Sequence, residues 1–318
     1  PNLNHVGVYP QPPFNNAFSI QYNTTSGISN WINSDQEIAF VFNSGDLQVA
    51  NSIGGLNYQY INGGTGLSIT PPINIPSGHE IVAEKSSNEF IAVHKYVTGL
   101  STHTDLYLHT SAGSSPPFNL DWVKAVKYNP ITKKLFVIVT LPLPGYPPAL
   151  TVFDLSNNTF DIDANTNPYI PLNYYDRFVQ VDNSDNVYVV HNGILQIFDY
   201  NTGGYIPINI QGFTNNNLIA FYSNSYPSMN GSYTDNKCLV GQMSEEKIYF
   251  LDFGSLTQRN ISTNNFLNSP NSTWASTTTD YIINGNTVFI AGSIFGNTQN
   301  SVGIGSQQIN FLGVGNFS

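Results

Sequence analysis

The segment Phe178–Ile208 constrains the fold more than any other part of the chain, because short apolar runs alternate there with turn residues. Its sequence is FVQVDNSDNVYVVHNGILQIFDYNTGGYIPI. Apolar residues at every second position place their side chains on one face of a strand, and Asn, Asp and Gly favour the turns between strands. The segment therefore predicts four antiparallel strands, and four strands in about thirty residues are typical of one blade of a β-propeller.

Three segments of similar pattern indicate a repeated unit. The runs LTVFDLSNNTFDI, LQIFDYNTGGYIPI and IYFLDFGSLTQRNI superpose at Asp154, Asp199 and Asp252. Their spacing, roughly 45 to 53 residues, fits one blade with loops of variable length. We therefore predict an all-β chain that folds as a single β-propeller of four-stranded antiparallel blades, with six blades favoured and seven as the alternative.

Strands are predicted in six sets, of which the fourth lies in Phe178–Ile208. The other sets are 37–42, 47–50 and 56–61; 79–84, 89–96 and 105–110; 123–128, 135–140, 149–155 and 160–162; 218–222, 237–242, 247–253 and 258–261; and 281–283, 287–291, 302–305 and 309–314. Residues 1–16 are predicted to form an extended arm, and residues 17–318 the propeller domain. A strand at 17–22 would pair into the last blade and close the ring, which removes exposed sheet edges.

The chain carries little charge, and its balance is acidic. Charged residues make up 9% of the sequence and the formal net charge is -10, whereas about a quarter of the residues in a typical globular domain are charged. An acidic chain without a clustered basic face is not expected to bind nucleic acid. No apolar run reaches the roughly 18 residues of a membrane span. Cys238 is the only cysteine, so we predict a buried thiol and no intrachain disulfide.

The scarcity of charge also bears on where the protein works. Ion pairs that involve carboxylates are lost when the pH falls through the carboxylate pKa values, and this chain has few of them to lose. Neutral amide and hydroxyl hydrogen bonds do not titrate. The composition therefore suits an acidic exterior, although an ordinary secreted β-protein fits it equally well. We expect an extracellular, cell-surface or virion location.

The run VQVDNSDNVYVVHNGILQIFDYNTGG, which begins at Val179, resembles an NHL-type or YVTN-type propeller repeat. The resemblance lies in an Asp-rich turn, a V-Y-V strand and an I-F-D strand, and it covers residues 123–210. Asp185 and Asn186 stand where the repeat usually has a glycine. The resemblance implies a propeller and carries no catalytic residue with it. The Asn-, Thr- and Tyr-rich composition is also similar to that of virion and cell-surface proteins of acidophilic archaea.

Two groups of residues have side chains that could bind a metal ion. His103, Asp105 and His109 would share one face of a strand, but the two histidines would lie roughly 20 Å apart along it. Asp182, Asp185 and Asn186 lie in a predicted hairpin turn and lack the full ligand ladder of a calcium loop. We therefore predict a polar strand face and a structural turn, with no metal site and no cofactor.

No catalytic residue is predicted. The aligned Asp154, Asp199 and Asp252 could form a ring of catalytic carboxylates, but an aspartate at this position is expected to end a strand and bind turn amides. Glycosidase chemistry needs two carboxyl groups that face each other across a pocket, and no such pair is apparent. Gly-rich phosphate loops and nucleophile elbows are also missing from the sequence.

Two long aromatic loops are the best candidates for a binding site. In a propeller, loops that join strands two and three open on the same face as loops between blades, so residues 141–148 and 165–176 should lie together. Rigid rings and amides suit the recognition of a glycan or a protein, although the rings could equally cover the core beneath the loops. The candidate ligand-binding residues are Tyr146, Tyr169, Tyr174 and Tyr175, with Asn165, Asn167 and Asn173 beside them.

Candidate N-glycosylation sites of the form N-x-S/T begin at Asn23, Asn157, Asn230, Asn260, Asn271 and Asn316. Together these features predict an extracellular or virion-surface binding or structural module. Its role would be attachment, adhesion or decoration, and it could assemble with other copies or with a filament or capsid. The alternative is a propeller enzyme, similar to a lactonase or a glycosidase, with its site in the central channel.

Overall fold

The computed structural model describes residues 2–7, 37–41, 47–52, 58–60, 68–69, 76, 79–86, 89–98, 101–120, 122–140, 147–163, 169–174, 176–220, 234–242, 247–262, 273–284, 287–300 and 303–316. In these ranges the regular structure is entirely β, and no helix occurs. The all-β class predicted from period-two spacing is therefore confirmed.

The described strands form six antiparallel sheets. The chain begins with β1 (Asn2–Gly7), and sheet 1 follows with β2 (Glu37–Val41), β3 (Leu47–Ser52), β4 (Tyr58–Tyr60) and β5 (Ser68–Ile69). Sheet 2 contains β6 (His79–Ser86), β7 (Glu89–Thr98), β8 (Ser101–Thr110), β9 (Gly113–Ser114) and β10 (Phe118–Leu120). Sheet 3 contains β11 (Trp122–Asn129), β12 (Lys134–Thr140), β13 (Pro148–Asp154), β14 (Asp161–Ile162) and β15 (Ile170–Pro171).

The remaining sheets repeat the same order. Sheet 4 contains β16 (Arg177–Val181), β17 (Val187–His191), β18 (Ile194–Asp199) and β19 (Gly204–Pro207). Sheet 5 contains β20 (Leu218–Ala220), β21 (Lys237–Gln242), β22 (Lys247–Asp252) and β23 (Thr257–Ser262). Sheet 6 contains β24 (Thr273–Asn284), β25 (Thr287–Asn300) and β26 (Gly303–Asn316), to which β1 adds.

The sheets are antiparallel meanders, and in the middle of the chain their first strands meet the neighbouring sheets. Strand β11 contacts β6 on one side and β16 on the other, and β16 in turn contacts β20 and β21. Successive four-stranded meanders that meet at their first strands surround a common axis, which is the arrangement of a β-propeller. The fold is therefore a β-propeller, as the sequence predicts, while the number of blades stays a prediction.

The core lies between the faces of adjacent sheets. Val187 and Val189 on β17 pack toward sheet 3, in a cluster with Phe136, Val152 and Phe198. Tyr188 and Val190 point the other way, and they pack toward sheet 5 with buried residues that include Leu195, Cys238, Leu239 and Leu251. Because sheet 4 is covered on both faces, β17 is apolar at consecutive positions and not only at alternate ones. Cys238 is the buried thiol that the sequence predicts, and burial raises its pKa well above the usual value.

The Asp-rich turn between β16 and β17 is closed by Asp182. Its Oδ1 accepts hydrogen bonds from the backbone N–H groups of Ser184 and Asn186, each at 2.9 Å. Asp185 has a φ of 67°, a left-handed conformation that aspartate tolerates better than most residues with a Cβ. Asp185 thus supplies the left-handed residue of this turn without a glycine.

Sheet 6 differs from the prediction in its last two strands. The predicted strands 302–305 and 309–314 form one continuous strand, β26, whose pairing with β25 runs from Asn300↔Gly303 to Thr287↔Asn316. The polar residues between the two predicted strands therefore belong to the ladder and not to a turn. The fourth strand of the sheet is β1, which pairs antiparallel with β26 and lies in the predicted arm. The strand predicted at 17–22 lies outside the described residues.

Residues 234–236 fasten the first strands of sheets 3 and 4 to sheet 5. The N–H of Thr234 donates to the carbonyl of Tyr128 at 3.1 Å, and the N–H of Asp235 donates to the carbonyl of Val181 at 3.0 Å. Asn236 completes the connection, because its carbonyl accepts the N–H of Phe253 at 2.7 Å. Backbone hydrogen bonds of this kind hold the inner strands at a fixed spacing.

We expect Asp235 to make stability depend on pH. Burial raises the pKa of its carboxyl group to about 6, against the opposing charges of Lys237 and Lys127 and with a smaller contribution from Asp252. Because the folded pKa exceeds the unfolded one, the carboxyl group stabilises the fold fully below pH 4, and this contribution is lost as the pH rises to about 6. The Asp235→Asn variant keeps an acceptor for the N–H of Lys237 and lacks this titration.

The measurement is urea unfolding of the wild type and of Asp235→Asn between pH 4 and pH 7. Relative to the wild type, the free energy of unfolding of the variant should rise by up to about 3 kcal/mol across this range. Parallel pH profiles for the two proteins would show that Asp235 does not titrate in this way. Asp161→Asn, in an exposed turn-proximal strand, is a suitable control.

Candidate functional site

The loop at the start of sheet 4 and the turn between β17 and β18 meet at one end of the sheet. Arg177, the first residue of β16, pairs with Val190 on β17. This register places Asp176, which precedes β16, beside His191, which ends β17. The end also carries Ile194, because it is the pairing partner of His191 across the tight turn Asn192-Gly193.

Asp176 is the centre of a hydrogen-bonded cluster at this end. His191 Nδ1 lies 2.6 Å from Asp176 Oδ1. The other carboxylate oxygen, Oδ2, accepts the hydroxyl of Tyr205 and the backbone N–H of Asn173, the latter at 2.8 Å. Asp176 is only 4% exposed, so these donors and not water solvate its carboxylate. We call Asp176, His191 and Tyr205 the Asp–His–Tyr cluster.

The chemistry of the cluster fixes the protons on its members. A carboxylate can only accept, so His191 Nδ1 carries a proton and donates it to Asp176. In the neutral tautomer Nε2 then accepts from the amide of Asn192 at 3.1 Å. Burial, followed by the hydrogen bond to Asp176 and its charge, raises the pKa of Tyr205, so this hydroxyl stays protonated and donates. The imidazole also stacks on the Tyr205 ring, with centroids 4.2 Å apart. The cluster therefore holds His191 in one orientation.

Exposed apolar side chains lie in the segment before β16 and at the start of β18. Tyr174 is 52% exposed, Tyr169 is 43% exposed and Ile194 is 41% exposed. Tyr174 belongs to a turn in which the N–H of Asp176 donates to the carbonyl of Asn173 at 3.0 Å. Arg177 fastens the same turn, because its Nη1 donates to the carbonyl groups of Tyr174 and Asp176. The rings are thus exposed on a backbone that is held in place from below. We call Tyr169, Tyr174, Asn192 and Ile194, together with the edge of His191, the loop face.

The structure describes only part of the predicted aromatic site. Tyr169 and Tyr174 lie on the predicted loop and are exposed, and Asn173 is exposed between them and the cluster. Tyr146, Tyr175, Asn165 and Asn167 lie outside the described residues. Which of these side chains binds a ligand stays a prediction.

Sequence reasoning did not single out Asp176, His191 or Tyr205. Asp176 and His191 are 15 residues apart, and Asp176 and Tyr205 are 29 apart. A usable signal was nevertheless present, because an aspartate just before a first strand and a histidine at the end of the second strand must meet when the two strands pair.

The polar face of β8 is arranged differently from a metal site. Asp105 Oδ1 accepts the amide of Asn119 at 2.9 Å, while His103 stacks on Tyr96 with ring centroids 5.5 Å apart. His109 lies elsewhere, and its Nδ1 is 2.7 Å from the hydroxyl of Ser114. In the part of the chain that the structure describes, no group of three or more His, Cys, Asp or Glu side chains is placed to hold a metal ion.

The aligned aspartates end the third strands and bind the turns that follow, as the sequence predicts. Asp154, Asp199 and Asp252 are the last residues of β13, β18 and β22. A hydrogen bond from the hydroxyl of Thr202 lowers the pKa of Asp199. Each Oδ1 accepts a backbone N–H two residues ahead, from Ser156 at 2.8 Å, Asn201 at 3.0 Å and Gly254 at 2.9 Å.

The sequons fall in different environments. Asn157 is exposed in the turn after β13, whereas Asn260 lies within β23 and donates its amide to Gln258 Oε1 at 3.1 Å. Asn316 is the last residue of β26. Asn23, Asn230 and Asn271 lie outside the described residues. Of the three described sequons, Asn157 is therefore the one on an exposed turn.

Comparison with known proteins gives no family. No protein-family model matches the chain, and no curated protein matches it. Similar solved structures include the β-propeller domain of the Trilobed protease from Pyrococcus furiosus, with 10% identity, 91% of this chain and 85% of that chain covered, and a TM-score of 0.43. A luciferin-regenerating enzyme has 9% identity, coverage of 100% and 96%, and a TM-score of 0.46.

The soluble aldose sugar dehydrogenase from Escherichia coli has 8% identity, coverage of 99% of each chain, and a TM-score of 0.46. Similarities this distant carry no argument about this chain, so the fold assignment follows from its own strand order and sheet contacts. Across the described ranges, no helix has the length and apolar character to cross a membrane.

Proposed function

We propose that this chain is a binding or structural module on an extracellular or virion surface, such as an attachment, adhesin or decoration protein. It would present its aromatic and Asn-rich loops to a glycan or protein partner. The observation that carries this proposal is the pair of exposed rings, Tyr169 and Tyr174, in the segment that leads to Asp176 of the Asp–His–Tyr cluster. Exposed tyrosines on a fixed backbone offer contact area at low entropic cost.

The low charge of the sequence supports the proposed location. Charged residues are 9% of the chain, and the turns use neutral donors instead. The Gln242 amide, for example, donates to Asn216 Oδ1 at 3.1 Å and to the carbonyl of Thr214 at 3.0 Å. Because neither partner in such a hydrogen bond titrates, a fold held largely by these bonds keeps most of them when the pH becomes acidic.

The test is retention of the purified protein on intact cells of the source organism or of its host. We expect the double variant Tyr169→Ser/Tyr174→Ser to be retained at least about tenfold less than the wild type. The control is Ile131→Ser/Leu256→Ser, which removes two exposed apolar side chains from turns at the opposite end of sheets 3 and 5. Equal retention of both double variants would contradict the proposal.

One observation favours an enzyme as a second candidate. Asp176 orients His191 with Nε2 toward the surface, which is the arrangement of a general base. A lactonase-like or glycosidase-like hydrolase would use such a base at the loop face and not in the central channel. Hydrolysis of lactone or aryl glycoside probes that is lost in His191→Gln would favour this candidate.

If the protein is exported by an organism that glycosylates, Asn157 should carry sugar. Asn157 is exposed in a turn, whereas the Asn260 side chain is partly buried on a strand and bonded to Gln258. Peptide mapping of the native protein before and after enzymatic deglycosylation should therefore show occupancy at Asn157 and none at Asn260. The reverse pattern would contradict the assignment.

A further inference from the structure

We infer that the loop face binds a neutral saccharide, with the Tyr174 ring as a stacking platform and the edges of His191 and Asn192 as hydrogen-bonding groups. This inference rests on the proposed function and names the class of ligand. It is drawn from the charge, the exposed rings and the hydrogen-bonding capacity of this end of sheet 4.

The side chains of Tyr169, Tyr174, Asn192 and Ile194, which form most of the loop face, are uncharged. Asp176 is buried and accepts three hydrogen bonds, and Arg177 donates to carbonyl groups within its own loop. The adjoining segment 206–217 contains no Asp, Glu, Lys or Arg. An ionic ligand would lose part of its hydration against these neutral side chains, which is unfavourable. A neutral ligand avoids this cost.

The exposed apolar groups fit the C–H face of a sugar ring. Tyr174 and Ile194 are about half-exposed, and Ile194 lies on the same side of its strands as His191 because paired residues of an antiparallel ladder point the same way. One exposed ring and one exposed aliphatic side chain are few apolar groups compared with the roughly 20 to 30 residues per partner of a stable protein interface, so they favour a small ligand over a protein.

The polar groups at this end of sheet 4 can form hydrogen bonds with the hydroxyl groups of a sugar. A sugar hydroxyl both donates and accepts, and an asparagine amide has two donors and an acceptor carbonyl. Asn192 is exposed, and its amide lies 3.1 Å from His191 Nε2, whose orientation is set by Asp176. Fixed donors and acceptors beside an apolar ring are complementary to alternating hydroxyls and C–H groups. The asparagine amide and the tyrosine ring are themselves uncharged, which also favours a neutral ligand.

Two variants remove the proposed ligand contacts at exposed positions. Tyr174→Ala removes the exposed ring. Asn192→Gly removes the amide and keeps the left-handed backbone, because Asn192 has a φ of 50° that glycine adopts without strain. The matched controls lie at the opposite end of the sheets. They are Ile131→Ala, at an exposed apolar side chain, and Leu256→Gly, at an exposed turn residue with a φ of 53°.

The experiment applies the wild type and the four variants to an array of neutral and acidic oligosaccharides, and to cells with and without periodate oxidation. We expect binding to neutral oligosaccharides and retention on cells that periodate abolishes. Tyr174→Ala and Asn192→Gly should each bind at least about tenfold more weakly, which is about 1.4 kcal/mol. The two controls should bind like the wild type.

The other outcomes overturn the inference in distinguishable ways. Retention on cells that survives periodate indicates a protein partner, so the saccharide is excluded and the proposed function stands. Binding confined to acidic oligosaccharides excludes a neutral ligand. Wild-type affinity in both Tyr174→Ala and Asn192→Gly places the site elsewhere. No retention on cells or array contradicts the saccharide and the proposed function together.

Discussion

Replacement of Asp176 by alanine should lower the free energy of unfolding by about 3 kcal/mol. The reason is that Asp176 is 4% exposed and accepts hydrogen bonds from His191, Tyr205 and Asn173. Alanine leaves these three donors without their acceptor in a partly buried position. Asparagine keeps the shape and one acceptor, so Asp176→Asn should lose less.

The measurement is urea unfolding at neutral pH, with Asp199→Ala as the matched control. Asp199 also accepts hydrogen bonds, but its partners Asn201 and Thr202 are exposed residues of its own turn. Water replaces an exposed acceptor readily, so Asp199→Ala should leave the urea midpoint almost unchanged. Equal midpoints for Asp176→Ala and Asp199→Ala would show that the cluster does not stabilise the fold.

The effect on stability bears on the loop face directly. Asn173 and Asp176 bracket the turn that carries Tyr174, and the turn is held by the carbonyl of Asn173 and by Arg177. A variant that loosens this turn loses the fixed position of the Tyr174 ring as well as stability. For this reason Tyr174→Ala, and not Asp176→Ala, is the variant that isolates the binding contact.

The strands could be predicted from the sequence because their patterns are local. Val187–His191 is apolar at consecutive positions, which is what a strand covered on both faces requires, and the turns on either side contain Asn, Asp or Gly. The prediction of the last two strands of sheet 6 was wrong because the local pattern was broken there. Residues 306–308 are Ser-Gln-Gln, a polar interruption typical of a turn, yet the long partner strand β25 keeps them in the ladder.

The Asp–His–Tyr cluster could not be predicted in the same way, because it depends on register and not on local pattern. Pairing of β16 with β17 shifts between Phe178 and Gln180, so the residue opposite His191 cannot be counted from the turn alone. Tyr205 reaches the cluster from β19, two strands away. The aligned aspartates show the opposite case, since each binds its own turn two residues ahead and was correctly predicted from the sequence.

Tyr188 joins sheets 4 and 5, and its replacement by alanine should be among the most destabilising single changes in the described core. Tyr188 is buried, and its ring stacks on Phe253 with centroids 3.6 Å apart and an interplanar angle of 1°. Its hydroxyl donates to Asp182 Oδ2 at 3.1 Å. Alanine removes the ring and leaves a cavity between the sheets, so we expect a loss of about 4 kcal/mol in the free energy of unfolding.

Tyr188→Phe separates the two contributions. Phenylalanine keeps the stack on Phe253 and removes only the hydroxyl, while Asp182 retains its bonds to Ser184 and Asn186. The loss should then be about 1 kcal/mol. Urea unfolding of both variants, with the exposed Tyr174→Ala as a control within about 0.5 kcal/mol of the wild type, gives the comparison. Similar losses for Tyr188→Ala and Tyr188→Phe would mean that the hydroxyl, and not the packing between sheets, holds this part of the propeller together.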